Sequence, residues 1–174
     1  MKARVSLLLA AFWLACGSGR QAPEPSAAPA DEADSRPLIV AFGNSLSAGF
    51  GVDPGESYPD YLQQLLDEAG FPYRVVNAGV SGDTTSGGLA RAASVAAMKP
   101  ALVIVELGGN DGLRGLPLEQ TRANLDRIVD ILAPTGARIV LAGMTLPPNY
   151  GADYIARFEN LYRELATRRQ LPLI

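Results

Sequence analysis

The 174-residue chain contains no histidine and one cysteine, Cys16. Neither a disulfide framework nor a zinc site of the usual His/Cys composition can be assembled from that stock. The missing imidazole also leaves any serine nucleophile without its commonest proton acceptor. Positive charge is short as well: 15 Lys and Arg stand against 18 Asp and Glu, a formal net charge of -3. There is thus no basic footprint for nucleic acid, and binding to polyanions is set aside. The apolar run at residues 5–15 is too short for a comfortable membrane span. What the chain does have is 48% hydrophobic residues with 18 Gly and 13 Pro, which suits one globular domain with its own core and not two.

Residues 1–16 open with Lys2 and Arg4 and continue as an apolar run broken only by Ser6, the layout of a secretory signal. The run ends Trp13-Leu14-Ala15-Cys16-Gly17, which resembles a bacterial lipobox, with Cys16 as the lipid-modified residue and Trp13 an unusual occupant of the first position. An ordinary cleaved signal with a stray cysteine is the competing reading. A sole cysteine in an oxidising compartment is a liability that lipidation removes, so Cys16 is a candidate anchor and a poor nucleophile. The expected location is the bacterial cell envelope. Residues 17–37 are rich in Ala, Pro, Ser, Glu and Asp with no apolar period, a tether that reaches on the order of 70 Å when stretched.

From Leu38 onward, strand-like and helix-like stretches alternate. The unbroken apolar run at 38–42 reads as a strand buried on both faces, followed by the turn chemistry of Gly43-Asn44-Ser45-Leu46-Ser47. Ser57 with Asp60 three residues on, and Pro59 between them, opens a helix carrying Tyr61, Leu62, Leu65, Leu66 and Ala69 and stopped by Gly70. Strands are expected at 73–77, 101–107 and 137–142, the second of these at the sheet centre. Helices are expected after Thr84 to before Pro100, from Leu118 to Leu132, and around Ile155, Phe158, Leu161, Tyr162 and Leu165. Residues 171–174 look like the opening of a fifth strand, so the chain is expected to be a piece of a longer domain. The predicted fold is an α/β, three-layer, doubly wound parallel sheet of flavodoxin-like type, with the fifth strand and a C-terminal helix incomplete, over residues 38–174.

In such a sheet the Gly/Ser/Asn clusters after the first three strands fall on one rim, where ligands bind. Ser45 is there either a nucleophile or a helix cap. The cluster at 43–47 lacks the second Gly of a G-x-S-x-G elbow, and Gly88 stands where a phosphate-binding loop needs Lys. Acyl transfer fits: a hydroxyl on one turn, a close-approach Gly82 on the second and the Asn110 amide on the third. The Ser45 and Gly82 backbone N–H groups with the Asn110 side chain make three candidate oxyanion donors, each worth roughly 3 kcal/mol in the transition state.

Gly-Asn-Ser-Leu-Ser at 43–47, the run at 75–84 and Val-Glu-Leu-Gly-Gly-Asn-Asp-Gly-Leu-Arg-Gly at 105–115 resemble the first three blocks of the SGNH (GDSL) hydrolases. With the loop at 146–151 they are similar to the bacterial periplasmic acyl-thioesterase, arylesterase and lysophospholipase branch. The resemblance implies Ser45 as nucleophile; Ser45, Gly82 and Asn110 as oxyanion hole; and a groove bordered by Leu113, Arg114, Pro148, Asn149 and Tyr150. It implies a small acyl ester or lipid substrate, no cofactor and no metal; a monomer is expected.

Two features depart from the pattern. The family's Asp before the serine is Asn44 here, which keeps the shape but loses a charge and leaves room for reduced activity. The family's Asp-x-x-His is absent. Asp83, Glu106 and Asp111 lie near the rim, but capping or turn bonding suits each better than taking the serine proton. The expectation is a hydrolase whose 174-residue form is largely inactive, with a non-catalytic tethered binding module on the same scaffold as the alternative.

Overall fold

Four parallel strands form one sheet in the order β2-β1-β3-β4, with β1 at Leu38–Gly43, β2 at Arg74–Asn77, β3 at Leu102–Glu106 and β4 at Arg138–Leu141. The computed structural model describes residues 34–174. Cys16, the signal and most of the tether lie outside the described residues.

The register pairs Val40 with Val103 and Phe42 with Val105, and Val103 with Ile139 and Val105 with Leu141. Alternate residues of a strand share a face, so these six side chains form one apolar sheet surface, and all are buried. Against them lie Ala92 and Val95 of α3 (Thr85–Ala97), Leu125, Ile128, Val129 and Leu132 of α5 (Leu118–Leu132), and Phe158, Leu161, Tyr162 and Leu165 of α6 (Ala152–Arg169). Helical spacing picks out the residues named on α5 and α6, but on α3 it points to Leu89, Ala93, Ala96 and Ala97, whereas the buried apolar residues there are Ala92 and Val95, with Ala93 and Ala97 exposed. Fully burying each such aliphatic or aromatic side chain is worth about 1.5–3 kcal/mol, and the face as a whole holds the helices to the sheet.

α2 (Tyr58–Glu68) starts where the sequence predicts, with the Ser57 amide donating to the Asp60 carboxylate at 2.9 Å. Its apolar face is only partly used: Leu62 and Leu66 are half-buried, while Tyr61 and Leu65 are exposed. The helix packs on β2, the edge strand, which is too narrow to cover a full helical face. Residues 171–174 make one parallel bridge outside β4: Leu141 N donates to Pro172 O at 2.9 Å and Ile174 N to Leu141 O at 3.0 Å.

The strand order places a switch point between β1 and β3. From β1 the chain crosses to β2 on one side, then returns to β3 on the other, so the loops after β1 and β3 leave in opposite directions and open a crevice. Two short helices begin there, α1 (Ser45–Ala48) and α4 (Gly109–Leu113). α4 is not evident from the sequence, because five residues containing two glycines carry no helical period.

Candidate active site

Gly43 ends β1 and the chain turns sharply. The buried Asn44 caps α1, its Oδ1 accepting the Leu46 amide at 2.9 Å. Ser45, the first residue of α1, is half-buried, and its Oγ donates to Asn44 Oδ1 over a long 3.4 Å. Among the described residues no carboxylate hydrogen-bonds to that hydroxyl.

Glu106, the last residue of β3, underlies this turn. Its Oε2 accepts the amides of Asn44 and Ser47, each at 3.2 Å, and the Ser47 hydroxyl at 2.8 Å. With its proton on Glu106, Ser47 Oγ accepts from Tyr58 OH, 3.2 Å away. Glu106 thus serves as the acceptor that fixes the turn, not as a base for Ser45. Burial pushes its carboxyl above the ordinary value of 4.5, opposed by the Ser47 and Asn44 donors, the Asn44 side chain among them. An aspartate at position 44 would set a second carboxylate beside this one. Asn44 keeps the capping oxygen and avoids that repulsion.

The raised value fixes the sign of a pH effect. A carboxyl that binds its proton more tightly when folded adds stability that is complete below the unfolded value, and that is lost as pH rises through the folded one. Glu106→Gln has no such proton. In urea unfolding, the stability of the parent relative to Glu106→Gln is therefore expected to fall as pH rises from about 4.5 to 8; a difference independent of pH would contradict this account.

The loop after β2 rests on the same turn. Asn77 Nδ2 donates to Ser47 O at 2.7 Å, Gly79 N to Asn77 Oδ1 at 2.9 Å and Val80 N to Gly43 O at 3.1 Å. A methyl on Gly79 would overlap the Ala48 amide nitrogen and stand 2.7 Å from Ser47 C, atoms that belong to backbone and cannot swing aside. Gly79→Ala is expected to destabilise the fold by about 2 kcal/mol, read as an earlier urea midpoint at unchanged slope.

Gly82 follows with φ +84, a conformation in which side-chain-bearing residues are strained. Its carbonyl accepts Arg114 Nη2 at 3.0 Å. The amides of Gly82 and Ser45 have no protein acceptor among the described residues, so both are free to meet a ligand. Asn110, in α4, donates through Nδ2 to Asp83 O at 2.8 Å, which aims the amide and leaves its second N–H unspent. Its neighbour Asp111 is buried and turned the other way: Oδ2 accepts Thr85 N at 2.8 Å, and Oδ1 accepts the hydroxyls of Thr85 at 2.6 Å and Thr121 at 3.3 Å. Asp83 pairs with Arg91 at 2.7 Å. All three acidic residues of the rim are therefore committed to structure.

Ser45 and Asn110 line one groove of about 400 Å³ whose walls are Leu46, Leu113, Met144, Leu146 and Pro147. Of the residues expected to border it, Leu113 does. Arg114 is spent on the Gly82 carbonyl, and Pro148, Asn149 and Tyr150 form a 3-10 turn from which Tyr150 OH donates to Leu113 O at 2.7 Å. That turn braces the groove wall from outside it. Sequence patterns do not mark Leu46, Met144 and Leu146 as lining, or Glu106 as the tether. A carboxylate ending an otherwise apolar core strand is the signal that could have found Glu106.

Residues 41–174 match the GDSL-like Lipase/Acylhydrolase family. The chain is 44% identical over 137 residues to the Esterase TesA of Pseudomonas aeruginosa, covering 78% of this chain and 68% of that protein. It is 38% identical to the Thioesterase 1/protease 1/lysophospholipase L1 of Escherichia coli (strain K12), covering 78% of this chain and 64% of the relative. The crystal structure of AlinE4, an SGNH-hydrolase family esterase, superposes with a TM-score of 0.76 at 47% identity, over 80% of this chain and 75% of that one.

Proposed function

Because the chain belongs to the GDSL-like lipase/acylhydrolase family and is by that membership a serine ester hydrolase, we propose that Ser45 is its nucleophile and that acyl esters or thioesters are its substrates. Ser45 Oγ attacks the acyl carbonyl, the Ser45 and Gly82 amides and the free Asn110 N–H take the oxyanion, and the acyl chain lies along the Leu46, Leu113 and Leu146 walls. Collapse of the tetrahedral intermediate expels the alcohol or thiol, and water then releases the acid. The observation that carries this reading is a half-buried hydroxyl sharing one apolar groove with an amide that has a spare N–H.

The proton needs an acceptor. There is no histidine among the 174 residues, and Asp83, Glu106 and Asp111 are all engaged elsewhere. We infer that the base is a group other than these three carboxylates, a histidine as the family resemblance implies, and that the 174-residue form by itself is largely inactive. The names of the relatives support aryl esters, thioesters and lysophospholipids as candidate substrates. The signal-like layout of residues 1–16 supports export to the cell envelope with Cys16 as lipid anchor. A non-catalytic binding module is favoured by Asn44 and by the missing imidazole alone.

A fluorophosphonate probe decides between these readings: in the protein that carries the base it should label Ser45 and block nitrophenyl butyrate hydrolysis. No label there would leave the binding module. Enzyme-like turnover by the purified 174-residue chain, lost on Ser45→Ala, would overturn the claim of an external base.

A further inference from the structure

Arg91 lies in the second turn of α3, and its guanidinium is spread over three acceptors. Nε donates to Asp83 Oδ2 at 2.7 Å, Nη1 to Ala78 O at 2.6 Å and Nη2 to Gly43 O at 2.7 Å, while the guanidinium carbon sits 4.6 Å over the ring of the buried Phe42. Gly43 stands two residues before Ser45, and Ala78 and Asp83 bracket Gly82. The same turn is held on its amide side by Glu106. It is thus gripped through its carbonyl by the Arg91 guanidinium from α3 and through its N–H groups by the Glu106 carboxyl from β3.

We infer that Arg91 is a positioning residue that sets the nucleophile turn against the oxyanion loop, so that the Ser45 and Gly82 amides point at one oxygen. The chemistry of the side chain suits this role. A planar fork with five donors and a permanent charge spans acceptors on two loops at once, and the Phe42 face fixes its plane. A partly exposed Arg–Asp pair by itself contributes little to stability. The two carbonyl contacts, each on a different loop, distinguish this arrangement from a surface ion pair. A misplacement of about 1 Å between reacting groups costs on the order of 100-fold in rate, so loss of the strut falls on turnover and spares the apolar walls that bind the acyl chain.

The inference rests on the reading of Ser45 and Gly82 given above, and its test separates the two. Nitrogen-15 relaxation of the 174-residue chain compares the parent with Arg91→Met, which keeps the stem over Phe42 and removes the fork. The Ser45 and Gly82 amides should drop from order parameters of about 0.85 towards 0.6 while α5 and α6 stay unchanged. Asp83→Asn, which weakens one contact and leaves both carbonyls gripped, should move them little. Unchanged Ser45 and Gly82 amides in Arg91→Met, or equal loosening throughout the fold, overturns the proposal. Should Arg91→Met fail to fold, Arg91→Lys is read in the same way, since one ammonium cannot span three acceptors. In the protein that carries the base, Arg91→Met should lower kcat about 30- to 100-fold with KM within about threefold; a rise in KM at constant kcat contradicts a positioning role. Absent hydrolysis by the unsubstituted protein strikes the Ser45 reading, and the relaxation result still decides the role of Arg91.

Discussion

Ser45→Ala should reduce ester hydrolysis by the base-bearing protein by about 10⁴-fold or more, the largest effect any single substitution in this chain can have. The reason lies in the surroundings of the hydroxyl. Its neighbours donate or accept hydrogen bonds for the turn, and none can stand in as a nucleophile: Asn44 is neutral, Ser47 is fully buried with its proton on Glu106, and Thr85 is buried against Asp111. Folding should be untouched, because Ser45 Oγ makes only the long contact to Asn44. Nitrophenyl ester turnover together with a thermal melt checks both halves. Residual activity within tenfold of the parent would mean that the acyl group goes elsewhere.

Asn110→Ala should cost about 10²- to 10³-fold in kcat with little change in KM, the usual penalty for deleting one preorganised oxyanion donor. Two things are lost together. The free N–H disappears, and so does the 2.8 Å bond to Asp83 O that ties α4 to the loop after β2. Asn110→Asp keeps the volume but also loses both N–H contacts, and it adds negative charge where the oxyanion forms and against the Asp83 carbonyl, so it should be at least as damaging. An Asn110→Asp enzyme with near-parent kcat would remove Asn110 from the oxyanion hole.

The groove is where sequence and structure part most clearly. Leu113 and Tyr150 both belong to motifs that imply contact with substrate, yet only Leu113 lines the groove while Tyr150 spends its hydroxyl on the Leu113 carbonyl. A motif says which residues recur together and is silent about which face of a 3-10 turn looks inward. Met144 is illegible for the complementary reason: a lone apolar residue just after a strand has no period to mark it. Likewise Arg91 looks like an ordinary exposed helix position until α3 is packed on β1 and three acceptors from distant segments come within reach.

Apart from the short helix α4 and the core faces of α2 and α3, the order of strands and helices, the core faces of α5 and α6, the turn chemistry at Ser45 and the family were determined by the chain read by itself. Each follows from short-range periodicity or from residues adjacent in sequence. Only the tertiary structure decided that Glu106 and Arg91 grip the Ser45 turn from its amide and carbonyl sides, that Asn110 keeps one N–H in reserve, and which side chains wall the groove. Those are contacts between segments roughly 30 to 60 residues apart, fixed by how β1 and β3 diverge at the switch point, and no local pattern encodes them.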